Sequence, residues 1–134
     1  MDGPVDSPDD RAQFDQLVFA LVRLIPEGRV MTYGQIAGLI PTPRSIDPSA
    51  YRRIRARWVG YALARCPQDV PWHRVINFQG VPSQRASGGH LPQRAMLEAE
   101  GVMTTGDGRI DLQTCGWQPM AHDLAGLELG EAGP

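Results

Sequence analysis

The side chains best equipped for chemistry in this chain of 134 residues are two thiols, a tryptophan–histidine pair and a run of arginines. A thiolate can attack carbon or bind zinc. Cys66 and Cys115 stand far apart and neither belongs to a CxxC pair, so no metal site is predicted. Trp72 and His73 sit in Pro71-Trp-His-Arg-Val75. An indole offers one N–H donor and a broad π surface, but no nucleophile. Read alone, Trp72 is either a core residue or a wall on which a flat base could stack. Six arginines (Arg44, Arg52, Arg53, Arg55, Arg57, Arg65) fall within residues 44–65, against one acid, Asp47. Such clustering is either a phosphate-binding footprint or a solvated helix face.

The charge is uneven. Residues 1–16 carry five aspartates (Asp2, Asp6, Asp9, Asp10, Asp15) and one arginine. The net charge of -2 argues against indiscriminate nucleic-acid binding but permits a local basic surface. With 42% hydrophobic and 21% charged residues, the chain fits one soluble domain. No apolar run reaches the ~18 residues of a membrane span, and no secretory signal is visible. These features predict a cytoplasmic protein with reduced thiols, no membrane association and no cofactor.

Positioning elements follow from periodicity and breakers. Residues 1–8 are predicted to be a disordered tail, followed by one domain over 9–120 and a frayed end over 121–134. Phe14, Leu17, Val18, Leu21, Val22 and Ile25 share one helical face, so a helix is expected from Asp9 to Ile25. Thr32 is a natural N-cap for a short helix, Tyr33–Leu39. Three prolines between Pro41 and Pro48 demand a loop. Ser49 is then expected to cap a helix from about Ala50 to Arg65. On it Arg53, Arg57, Gly60 and Ala64 fall on one stripe. Two short helices with the arginines on the second suggest a helix-turn-helix with an unusually long linker. Trp72–Ile76 is predicted as a short extended or turn segment, 77–89 as a loop, Pro92–Glu100 as a helix, and Met103–Leu112 as a hairpin.

Three segments then combine: Ile25-Pro-Glu-Gly-Arg-Val-Met-Thr-Tyr-Gly-Gln-Ile-Ala37, Arg57-Trp-Val-Gly-Tyr-Ala-Leu63, and Pro71-Trp-His-Arg-Val-Ile76 running on to Gly101-Val102. Their order and spacing resemble the DNA-binding domain of O6-alkylguanine-DNA alkyltransferases across roughly residues 14–117. Those enzymes carry Pro-Cys-His-Arg-Val. Trp72 at the cysteine position resembles the alkyltransferase-like proteins, which bind the same lesions without repairing them. The resemblance implies a mainly α (α+β) fold of winged helix-turn-helix character with short strands, docking in the minor groove.

It also implies roles. Tyr33 matches the tyrosine that helps rotate the target nucleotide, and Arg57 the finger that fills the vacated stack. Trp72, Arg85, Ser87 and Val75 fall in the implied lesion pocket. Val75 itself is expected to be mainly core, offering a backbone carbonyl. Arg44, Arg52, Arg53 and Gly60 fall on the implied DNA surface. His73 and Glu100 match a proton-relay pair. With no nucleophile between them, they are expected to act structurally. Trp58 replaces a small residue after the finger and is either a stacking surface or core. The implied function is non-enzymatic recognition of O6-alkylguanine in double-stranded DNA by base flipping, in a monomer, with hand-over to nucleotide excision repair. Rival expectations are an alkyltransferase using Cys66 or Cys115, a sequence-specific regulator, and a protein-interaction module.

Overall fold

The protein is described by a computed structural model covering residues 8–43, 46–82 and 93–127. Residues 1–7 of the predicted 1–8 tail, Arg44, Arg85 and Ser87 lie outside the described residues, whereas Pro8, assigned to that tail, already begins α1. In order, the elements are α1 (Pro8–Arg23), β1 (Met31–Thr32), α2 (Tyr33–Gly38), α3 (Pro48–Ala64), a 3-10 turn (Trp72–Arg74), β2 (Val75–Ile76), α4 (Gln93–Ala99), α5 (Leu112–Cys115) and α6 (Ala121–Leu124). This is the mainly helical fold that the sequence implied, with one short strand pair among the described residues.

The starts of α2 and α3 have local causes. Thr32 caps α2 reciprocally with Gln35: the Gln35 amide donates to Thr32 Oγ1 at 3.0 Å, and the Thr32 amide to Gln35 Oε1 at 2.9 Å. The cap of α3 is Asp47 rather than Ser49, its Oδ2 accepting from the Ala50 amide at 3.1 Å. Pro48, assigned to the loop by its type, instead begins the helix, where its missing N–H removes no hydrogen bond.

Helix α3 is held by its inner face. Phe14, Tyr51 and Trp58 meet edge to face, with centroids 5.2 to 6.2 Å apart. The Arg11 guanidinium lies 4.3 Å above the Trp58 ring. Trp58 is therefore core, not a stacking surface for DNA, and burial pushes the Tyr51 phenol up to about 12. A smaller apolar cluster gathers Val30, Ile76, Leu97, Val102, Ile110 and Cys115.

Strands β1 and β2 pair in parallel, Met31 opposite Val75 and Thr32 opposite Ile76. This short ladder sets the start of α2 beside the turn that carries Trp72. The expected hairpin reduces to one antiparallel bridge, Thr104 with Ile110, closed by the Thr105 amide on the Arg109 carbonyl at 2.7 Å. Gly108 adopts φ 83° inside it. The stretch from 121, expected to fray, begins with the helical turn α6, and Leu124 and Leu127 pack against the main core.

Candidate functional site

A cleft of about 620 Å³ opens between α3, the start of α2 and the 66–73 segment. Tyr33, Gly60, Trp72 and His73 line it together, and Leu63, Val70 and Met96 add apolar lining. The volume suits a small organic ligand. Tyr33 reaches it because the Thr32 cap fixes the first residue of α2. Gly60 and Ala64 reach it as the inner end of the predicted stripe. Arg57 lies one helical turn before Gly60 and is exposed, as are Arg52 and Arg53. The cleft lining contains none of these arginines.

A methyl group added at Gly60 would meet nothing within 4 Å. No internal packing requires glycine there, although glycine in mid-helix costs about 1 kcal/mol relative to alanine. What the small residue leaves is room for close approach from outside.

The Trp72 turn is rigidly tied. The Trp72 amide donates to the Val70 carbonyl at 2.8 Å, and the Arg74 amide to that of Pro71 at 3.0 Å. His73 is buried; its Nε2–H donates to Glu100 Oε2 at 2.7 Å. The expected His–carboxylate bond is thus present, but it is part of something larger. Arg74 Nη2 donates to the same oxygen at 2.8 Å, and Arg74 Nη1 to the Ile25 carbonyl at 2.9 Å. The Gly28 amide donates to Glu100 Oε1 at 3.0 Å. Gly28 has φ 83°, and a Cβ there would come within 3.2 Å of the Glu100 carbonyl, so only glycine presents that amide freely. Burial opposes ionisation of Glu100. The bonds from Arg74, His73 and Gly28 outweigh it and hold the carboxyl down at about 2. One carboxylate thereby joins the exit of α1, the Trp72 turn and the end of α4.

Arg74, Gly28 and Gln93 were not singled out from the sequence. Gln93, 1% exposed, donates through Nε2 to the carbonyls of His73 at 2.8 Å and Val75 at 2.7 Å. Val75 is core, as expected. Its side chain is fully buried outside the cleft lining, and its carbonyl already accepts from Gln93. The only available signal for Arg74 was its charge beside His73; for Gln93 there was none.

Cys66 belongs to the cleft lining too. Although it follows the end of α3, it lines the same cleft as Trp72, and burial pushes its thiol up. Cys115 is buried in the second cluster. Among the described residues no group of three or more histidines, cysteines or acids could hold a metal ion.

Comparison with known proteins agrees with this arrangement. Residues 13–102 match the family model described as the DNA binding domain of 6-O-methylguanine DNA methyltransferase. A DNA base-flipping protein of Escherichia coli (strain K12) is 45% identical over 107 residues, covering 78% of this chain and 74% of that protein. Alkyltransferase-like protein 1 of Schizosaccharomyces pombe is 37% identical over 114 residues, covering 80% and 96%. The crystal structure of S. pombe Atl1 with damaged DNA containing O6-carboxymethylguanine superposes with a TM-score of 0.59 at 36% identity, covering 81% of this chain and 97% of that one. The chain therefore belongs to the 6-O-methylguanine DNA methyltransferase DNA-binding-domain family, among its alkyltransferase-like members.

Proposed function

We propose that this protein captures O6-alkylguanine flipped out of duplex DNA and holds it without removing the alkyl group. The observation that carries this reading is Trp72 in the lining of a base-sized cleft that Tyr33 and Gly60 also line. Dealkylation at O6 needs a displacement at carbon, best served by a thiolate. The resemblance seats Trp72 where the enzymes carry that thiolate, and an indole accepts no alkyl group. It supplies a flat, apolar face for the base. Tyr33 stands at the rim to engage the backbone, and Arg57 is exposed one turn along α3, ready to enter the stack. Its planar guanidinium can hydrogen-bond the orphaned partner base. Extrusion costs a few kcal/mol, less for a damaged pair. The Glu100 clamp keeps Trp72 in place; with no reaction to serve, its His73 bond is structural.

On this reading the protein acts as a monomer on double-stranded DNA in the cytoplasm. The persistent distorted complex is what nucleotide excision repair would receive. The names of the relatives, base flipping in one and a complex with O6-carboxymethylguanine DNA in another, support the ligand class.

The test compares a duplex containing O6-methylguanine with its unmodified twin, followed by intact-mass measurement of the protein. Tighter binding to the modified duplex with no added methyl is expected. Equal affinity for the two duplexes would falsify the lesion reading. Cys66 in the cleft lining favours a second reading, alkyl transfer to that thiol. Its raised pKa opposes this at neutral pH, and a one-methyl mass gain on Cys66 would establish it.

A further inference from the structure

A cleft of about 620 Å³ is larger than an unmodified guanine fills, so it leaves room for the substituent on O6. The chemical character of that room follows from its lining. Cys66, Pro67, Gln68, Asp69 and Val70 form one continuous part of it. Among the described lining residues Asp69 is the one acid, and none is lysine or arginine. The Val70 amide donates to the Pro67 carbonyl at 3.1 Å, and the Trp72 amide to the Val70 carbonyl at 2.8 Å. Asp69 is thus tied into the turn that leads to Trp72. Its Oδ2 accepts from Arg23 Nε at 2.8 Å and its Oδ1 from Arg23 Nη2 at 3.2 Å. Arg23, the last residue of α1, does not line the cleft, so the carboxylate is the nearer charge to anything inside. The Arg23 bonds hold this carboxyl below its usual range, which keeps it ionised at neutral pH.

We propose that Asp69 sorts O6 adducts by charge, favouring neutral and cationic substituents over anionic ones. The inference rests on the proposed reading in taking this cleft as the seat of the lesion. An anionic substituent such as carboxymethyl enters beside a like charge, an obstacle aimed at one class of ligand. A substituent that ends in an ammonium gains from the same carboxylate. Two features keep the effect modest. The Asp69 side chain is 66% exposed, so water screens it, and Arg23 offsets part of its field. The expected scale is a factor of about three in relative affinity.

The test uses the full chain and fluorescence anisotropy on four duplexes that differ at one guanine: unmodified, O6-carbamoylmethyl, O6-carboxymethyl and O6-(2-aminoethyl). Carbamoylmethyl and carboxymethyl have nearly the same shape and differ in charge. Ratios of affinity between duplexes cancel whatever a substitution does to DNA binding at large. Asp69→Asn should raise affinity for the carboxymethyl duplex relative to the carbamoylmethyl one by about threefold, and lower that for the aminoethyl duplex by about as much. Arg23→Gln leaves the carboxylate without its counter-charge and should move both ratios the opposite way. This second variant separates charge from architecture. Either substitution breaks the same ion pair, so a merely structural pair predicts shifts of one sign. The shifts should shrink as salt rises from about 50 to about 300 mM. Ratios unchanged in Asp69→Asn, or moved the same way by both variants, overturn the proposal. If wild type still prefers the adduct duplexes to the unmodified one, only this inference falls. Wild type that binds all four duplexes alike overturns the proposed function as well.

Discussion

Replacing Glu100 by glutamine keeps the shape of the side chain and removes one negative charge from a point where His73, Arg74 and the Gly28 amide converge. Burial alone would raise this carboxyl. The three partners instead take it from 4.5 to about 2. That shift corresponds to about 3 kcal/mol of stability held by the ionised form. The side chain is only 12% exposed, so solvent screens little of it. Glutamine leaves Arg74, 18% exposed, without a counter-charge, a loss of about 3 kcal/mol or slightly more. For a domain of this size, melting should fall by about 11 °C. The pH dependence gives a sharper test. A carboxyl depressed on folding stabilises above its unfolded pKa, and that contribution disappears as pH falls from 4.5 towards 2. Urea titrations at several pH values should show wild type losing stability across that window and Glu100→Gln losing distinctly less. Parallel curves for the two proteins, or a variant as stable as wild type at pH 7, would refute the clamp.

Gly60→Ala should raise the unfolding free energy by up to about 1 kcal/mol, since the added methyl meets nothing, while weakening duplex binding about tenfold by blocking close approach; calorimetry and anisotropy read the two effects. A variant that binds DNA as well as wild type would remove the close-approach argument. Arg57→Ala changes an exposed residue, so melting should stay within about a degree, and lesion binding should fall about tenfold to a hundredfold. Trp58→Ala opens the aromatic cluster beneath α3 and should cost about 3 to 5 kcal/mol in urea unfolding. A loss under about 1 kcal/mol would mean that the ring is not core.

What the sequence revealed depended on how local each interaction is. The Thr32 cap was legible because its partner, Gln35, lies on the next turn. The cap of α3 was misassigned by two positions because Pro48 has two opposite meanings, loop-breaker or first helical residue, and only Asp47 ahead of it decides. The Trp72 turn was found through its neighbours in the motif, whereas the residues that hold it were not. Glu100 meets Arg74 across 26 positions and Gly28 across 72, and nothing in a periodic pattern reports such pairings. Gln93 is the extreme case, a buried polar side chain that satisfies two carbonyls. Trp58 stood among arginines and so had two readings; the edge-to-face contacts with Phe14 and Tyr51 left one. Cys66 follows α3, yet it shares the cleft lining with Trp72.

The three interlocked rings under α3 have a bearing on how search and capture divide their labour. A helix anchored through Phe14, Tyr51 and Trp58 behaves as a stiff template. Induced adjustment must then come from the nucleic acid, whose bending and local unpairing depend on its own base steps. Damage in a weakly stacked, easily kinked context should accordingly be found sooner than the same adduct inside a stiff tract.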